Sequence, residues 1–208
     1  MTGNFPYEEV VDAADVDMDS KGVQRVATKF LRQQQQGIFP GGQLVARRGG
    51  KVVLKLSCGM ARGWQGRGHD TAVNVQDTTS FPVYSTGKPM AAIVIAMLES
   101  QGRLDVTTPV ARILPEFAGL GRDEITILDV LTYRAGIILS DLIDNHKIWT
   151  DGEAVWQYLL QTPPRYRRGT FAYMPGEYGI ILDQLVRRLT GQSIAEIFRN
   201  ELALPLGL

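Results

Sequence analysis

The sequence predicts an α+β fold in which one helix and a few short strands precede a long helical region. Three observations predict it. Apolar residues recur at helical spacing from Gly22, a Gly49-Gly50 pair divides two β-rich runs, and from Thr86 onward the apolar pattern is helical almost throughout. At 208 residues the chain suits one domain or two small lobes, and it is long enough to bury most of its apolar surface.

Residues 1–20 read as a loose acidic arm: six acidic residues and no basic one lie between Glu8 and Asp19, with few large apolar side chains to anchor them. Val23, Val26, Ala27, Phe30 and Leu31 then mark one face of a helix that the glutamines 33–36 finish and Gly37 ends. Residues 43–48 and 51–56 form a hairpin, because Gly-Gly between β-rich runs is a two-residue turn signal. Residues 62–77 read as loop and Thr78 to Tyr84 as a short third strand. Thr86 to Gln101 is a strong helix closed by Gly102, and a second helical stretch begins at Thr126 and runs through Ile127, Val130 and Leu131. Glu153 to Gln161 is a third, stopped by Pro163-Pro164, and Tyr178 to Thr190 a fourth, ended by Gly191. Ser193 and Glu196 form a capping box that opens the last helix. Three short strands leave two open sheet edges, and Ala203-Leu-Pro-Leu-Gly-Leu208 is an apolar end, so a further C-terminal portion is expected.

Composition excludes several functions. The chain has 22 Lys+Arg against 22 Asp+Glu, which offers no electrostatic footprint for nucleic acid or an anionic membrane. The longest apolar run, Met90 to Leu98, is about half of the ~20 residues a bilayer span requires. The acidic N-terminus lacks the basic and apolar regions of an export signal, so a cytoplasmic protein is expected. Cys58 is the sole cysteine, which excludes an intrachain disulfide, and it reads as a buried structural thiol. His69 and His146 have no acid or cysteine at ligand spacing and read as loop residues, so no metal is expected. Arg165, Arg167 and Arg168 read as a solvated loop face. Gly-x-Ser-x-Gly, Walker and Rossmann patterns are absent, and no cofactor is implied.

The remaining chemistry lies in Ser85-Thr86-Gly87-Lys88. Seven serines and six lysines produce roughly 0.2 chance matches to Ser-x-x-Lys, so placement matters more than the bare motif. Ser85 stands where a strand gives way to a helix, and the i, i+3 spacing puts Lys88 one turn further along the same face. Free N–H groups at the helix start favour an anionic nucleophile, and Pro89 is tolerated there because its missing N–H would have had no partner. A serine hydroxyl needs a base, and no histidine is placed to serve. At an ordinary pKa only about 1 lysine in 2,500 is neutral at pH 7, but burial can lower that pKa by ~3–5 units. The run Met90 to Met97 is apolar nearly all round, which implies a buried helix and a desolvated Lys88. The competing reading is a surface lysine beside an N-cap serine.

The surroundings resemble a known superfamily. Phe81-Pro-Val-Tyr-Ser-Thr-Gly-Lys-Pro-Met90 and Leu98-Glu-Ser-Gln-Gly-Arg-Leu-Asp-Val-Thr-Thr-Pro109 are similar to the serine β-lactamases and penicillin-binding proteins. Ile125 to Ile137 and Gly169 to Gly179 fit its next two landmarks, and the resemblance spans residues 23–208 in consistent order. It is nearest to the family VIII carboxylesterases and class C β-lactamase relatives. The resemblance implies a β-lactamase/transpeptidase-like α+β fold: an acidic arm at 1–22, the N-terminal part of the sheet domain at 23–84, and the nucleophile helix with a mostly helical lobe at 85–208, the C-terminal strands being absent.

It also implies that Ser85 is the acylated nucleophile, Lys88 its proton acceptor, and Tyr173 a tyrosine that shares the base role and passes protons to the leaving group. Two positions depart from the pattern. Pro175 stands where lactamases carry an asparagine amide, which moves the expectation from lactamase to esterase. Tyr133 replaces a frequent histidine at a position that looks structural. The family's third motif, which supplies one of two oxyanion donors beside the Ser85 N–H, lies on strands that this sequence does not contain, and losing one such donor typically costs ~2.7–4 kcal/mol.

The expected function is therefore a serine hydrolase that forms an acyl-enzyme and acts on small carboxylic esters, with β-lactams or D-alanyl peptides second. A catalytically silent homologue, or an incomplete fragment that serves as a binding or assembly module, is the alternative. The implied partner is a small-molecule ester or β-lactam-like substrate; a homo-oligomer or a completing C-terminal segment stays open.

Overall fold

A computed structural model describes residues 9–63, 72–139 and 148–207, apart from the Trp149 side chain. His69 and His146, and half of the loop expected at 62–77, lie outside the described residues. The chain divides into two compact units, Met1–Pro82 and Val83–Leu208.

The first unit is a helix and a small antiparallel sheet. Helix α1 (Ser20–Gln35) starts at Asp19, whose side chain accepts from the Lys21 N–H. Strands β1 (Gly41–Arg48) and β2 (Lys51–Arg62) pair antiparallel with Arg48 opposite Lys51. Gly49 and Gly50 hold φ +54° and +81° between them, the two positive values that a tight hairpin turn requires. Cys58 lies inside β2 opposite Gly42, and burial pushes its thiol up.

Two expectations fail in this unit. The third strand is β3 (Val73–Asn74), paired with Met60 and Arg62, and 78–84 is not a strand. Side chains take its place. The Thr79 hydroxyl accepts from the Gln76 N–H (2.8 Å), and the Gln43 amide donates to the Gln76 and Thr79 carbonyls (2.6 and 3.1 Å). Hydroxyl and amide groups so near the backbone compete with a ladder. Nor is the described part of the acidic arm loose. Val11 N–H donates to the Val52 carbonyl, Ala13 is buried, and Asp12 accepts from the Ala14 N–H and the Ser20 hydroxyl. Two of the arm's acids, Asp12 and Asp19, serve as helix caps rather than as solvated charge.

The second unit packs helices around one core. Helix α2 (Lys88–Ser100) buries Ala91, Val94, Ile95 and Leu98. A short helix α3 (Val110–Ile113) and α4 (Ile127–Leu131) follow, the latter opened by a Thr126–Asp129 capping box. Helices α5 (Gly152–Gln161), α6 (Glu177–Thr190) and α7 (Ile194–Ile197) complete it, α7 with the expected Ser193–Glu196 box. Gly191 ends α6 at φ +77°, returning its N–H to the Arg187 carbonyl. The core joins Val94, Ile95, Phe117, Val130, Leu159, Ile181, Leu182 and Leu185.

One charged side chain belongs to this core. Arg122 is fully buried and donates to the carbonyls of Leu159 (2.7 Å), Leu160 (2.6 Å) and Thr162 (3.3 Å), capping the C-terminal end of α5. Arg122→Ala would strand those carbonyls and open a void. It is expected to cost about 3–5 kcal/mol, read as a lower urea midpoint at unchanged slope. An unchanged midpoint would show that water replaces the guanidinium at no loss.

Candidate active site

All of the predicted site residues lie in the second unit. Ser85 sits in a turn of 3-10 helix, Tyr84–Gly87, that runs directly into α2. Tyr84 opens that turn at φ +45° and is 87% exposed. A left-handed tyrosine costs about 1–3 kcal/mol, a kind of strain that collects where a reactive side chain must be held out of regular structure. Lys88 begins α2 one turn beyond Ser85, as the spacing predicts.

Distances tie the three residues together. The Tyr173 hydroxyl donates to Ser85 Oγ at 2.6 Å, and Lys88 Nζ donates to the same oxygen at 3.1 Å. Lys88 Nζ also donates to the Pro175 carbonyl at 2.8 Å and lies 5.1 Å from the centre of the Tyr173 ring. Tyr173 and Ser85 are 88 residues apart in sequence. Their meeting is a product of the fold.

The desolvation expected of Lys88 is only partial. The residue is half-buried, and Met90 and Ile93 on α2 remain 38% and 43% exposed. An apolar run does not guarantee burial on every face, so hydrogen bonds rather than a dry cavity hold this lysine. Pro175 also acts differently from expectation. It lacks a side-chain amide, but its backbone oxygen supplies the second acceptor for Lys88.

The segment bearing Tyr173 has no regular secondary structure and is held by residues 133–136. The Ala172 N–H donates to the Tyr133 carbonyl, Gly169 N–H to that of Arg134, and Arg165 and Tyr166 N–H to that of Gly136. Gly136 holds φ +73° with the Tyr166 carbonyl against the place a Cβ would occupy, so only glycine permits this crossing. The Tyr133 ring then packs on Tyr173 (5.2 Å between centres), Phe171 (6.1 Å, edge-on) and Tyr178 (5.3 Å). Position 133 thus carries an aromatic brace, itself at φ +58°. Arg165, Arg167 and Arg168 are all exposed, in keeping with a loop face; Arg168 pairs with Asp129 at 2.6 Å.

The tyrosines differ electrically. The hydrogen bond with Ser85, then the bond and charge of Lys88, hold the Tyr173 hydroxyl below the usual tyrosine range. Burial pushes Tyr178 up to about 12, helped by Tyr133, and Tyr133 is itself raised, by burial first and then by Tyr173. One phenol of the cluster is made easier to ionise, and it is the one on Ser85.

Sequence reasoning missed the backbone role of Pro175 and the burial of Glu177, the first residue of α6. The one available signal for Glu177 was an acid in the first turn of a helix directly after Pro175-Gly176.

A hydroxyl contacted by a lysine one turn on and by a tyrosine from a distant loop stands at the head of a core helix, within a β-lactamase-like fold. The chain belongs to the beta-lactamase family, whose model matches residues 24–208. It is 30% identical over 176 residues to the esterase/beta-lactamase LipL of Mycobacterium tuberculosis, covering 81% of this chain and 38% of LipL. Among solved structures, a penicillin-binding protein homolog from Caulobacter crescentus superposes with a TM-score of 0.70 at 28% identity, over 89% of this chain and 49% of the other. A family VIII carboxylesterase superposes with a TM-score of 0.68 at 27% identity, over 89% and 49%. The chain therefore spans half or less of the length of these relatives. No helix among the described residues is long and apolar enough to cross a membrane.

Proposed function

We propose that this chain carries the nucleophile, the base and the supporting lysine of a serine hydrolase that works through an acyl-enzyme on Ser85 and prefers small carboxylic esters. The observation that carries the reading is the double contact on Ser85 Oγ, from Tyr173 at 2.6 Å and Lys88 at 3.1 Å. Because the Tyr173 oxygen lies nearer Ser85 Oγ than Lys88 Nζ does, 2.6 against 3.1 Å, and because its phenol is the group made easier to ionise, we assign Tyr173, once ionised, as the proton acceptor. Lys88 holds the positive charge that favours its phenolate. This reverses the emphasis expected from the sequence, where Lys88 was the acceptor and Tyr173 shared the role.

The steps follow from that assignment. With Tyr173 ionised, Ser85 Oγ bonds to the ester carbonyl carbon while its proton passes to the phenolate oxygen, and the carbonyl π pair moves onto the substrate oxygen. As the tetrahedral species collapses, the carbon–oxygen bond to the alcohol breaks and the departing alkoxide takes the proton from Tyr173. Water then repeats the sequence on the acyl-enzyme, releasing the carboxylic acid and restoring Ser85.

Two facts support esters over β-lactams. Position 175 has no side-chain amide to hydrogen-bond a lactam or peptide amide, and the carboxylesterase is named for ester hydrolysis, whereas LipL is named for both activities. The test compares 4-nitrophenyl butyrate with a chromogenic cephalosporin. A kcat/KM ratio of about 10²-fold or more in favour of the ester is expected, the order that one unpaired polar group can impose. A ratio in favour of the cephalosporin would overturn the substrate class.

The exposure of Ser85 and Tyr84 favours a second reading, a homologue that binds esters without turning them over. Saturable binding of the butyrate ester with no nitrophenol released would favour it.

A further inference from the structure

Glu177 is an acid that the proposed reaction does not use. It is the first residue of α6 and only 2% exposed, and no cation pairs with it among the described residues. A buried carboxylate is costly unless its oxygens are hydrogen-bonded. Among the described residues each oxygen accepts from one backbone N–H: Leu139 on Oε1 at 2.5 Å and Gly176 on Oε2 at 3.1 Å. The start of a 14-residue helix adds a favourable dipole.

The Gly176 N–H and the Pro175 carbonyl belong to the same peptide group. In a trans peptide they point in opposite directions. Across that one amide, the carboxylate of Glu177 takes the N–H while Lys88 Nζ donates to the oxygen at 2.8 Å. A charge on the N–H side enriches the oxygen and strengthens its acceptance from Lys88, because hydrogen bonds in series polarise one another. The neighbouring residue acts on the same lysine: the Tyr178 hydroxyl donates to the Lys88 carbonyl at 3.4 Å.

We propose that Glu177 is a positioning residue that sets Lys88 against Ser85 through the Pro175–Gly176 peptide, joining the loop that carries Tyr173 to the buried Leu139. The inference rests on the hydrolase reading for its catalytic consequence, but not for the coupling itself. A glutamine fits the space and fails the chemistry. Its carbonyl can accept one N–H, and its NH₂ then faces the other donor.

The experiment uses the whole chain, with Glu177→Gln and Glu177→Asp. Lys88 Nζ and the Gly176 amide are followed by ¹⁵N–¹H NMR, and the rate of labelling by a fluorophosphonate is followed by mass. In wild type the Gly176 amide is expected downfield and slow to exchange. In Glu177→Gln it moves upfield, the Lys88 resonance shifts, and the maximal labelling rate falls about 10–100-fold at unchanged half-saturating probe concentration. Glu177→Asp, which keeps the charge, recovers part of the rate. A rapidly exchanging Gly176 amide in wild type overturns the proposal even if both variants misfold. So does a folded Glu177→Gln whose Lys88 resonance stays in place. If wild type is not labelled while the Lys88 resonance still responds to Glu177→Gln, the hydrolase reading fails and the coupling stands.

Discussion

Incubation with a fluorophosphonate is expected to leave one covalent adduct on Ser85, and Ser85→Ala to abolish it. The expectation rests on geometry that an ordinary surface serine does not have. Ser85 Oγ has the Tyr173 oxygen at 2.6 Å and Lys88 Nζ at 3.1 Å, so once Tyr173 is ionised the serine proton has an acceptor in place before any substrate arrives. Removing a nucleophile from such a unit typically costs about 10⁴–10⁶-fold in turnover. Lys88→Ala should approach the same loss, because residues that act together are far from additive, and the double variant should be little worse than either single one. Intact mass and labelling rate check both points. An adduct that persists in Ser85→Ala would move the nucleophile elsewhere. A folded wild-type chain that takes no label would remove the hydrolase reading for these residues.

What the sequence made legible was mostly local. Gly49-Gly50 dictates a hairpin because two positive φ values in succession suit almost nothing else, and the Ser193–Glu196 box is complete within four residues. No strand forms at 78–84 because the Thr79 hydroxyl and the Gln43 amide from β1 take up backbone groups of residues 76 and 79, a competition that apolar pattern does not register. Ser85 and Lys88 were legible as a pair one helical turn apart, whereas Tyr173 was found only through a family resemblance. Nothing near Tyr173 in the chain announces a partner 88 residues away. Glu177 illustrates the limit of local reading most clearly: its donors are the N–H of the residue before it and that of Leu139, 38 positions upstream. At Pro175 the sequence displays only the side chain it lacks, while the group that meets Lys88 is a backbone oxygen that every residue has.

Tyr173→Phe is expected to lower kcat/KM by roughly 10²–10⁴-fold, the usual worth of a general base, and to change the shape of the pH profile as well as its height. In wild type the phenol must lose its proton to act, so activity rises with pH up to the point where it is ionised. The Ser85 hydrogen bond and the Lys88 charge hold that point below the ordinary tyrosine value of 10, so the ascending limb lies on the acid side of it. Tyr133 and Tyr178 cannot generate the limb, because both are raised, Tyr178 to about 12. Phenylalanine preserves the ring that packs on Tyr133 and deletes the titrating oxygen, so the limb should disappear while the fold stays intact. Lys88→Gln should leave a limb but move it toward 10, since the cation that favours the phenolate is gone. The opposite assignment, with Lys88 as acceptor, makes a different forecast: Tyr173→Phe would lose rate and keep its ascending limb. Steady-state ester hydrolysis across the pH range, with wild type and both variants, separates the two.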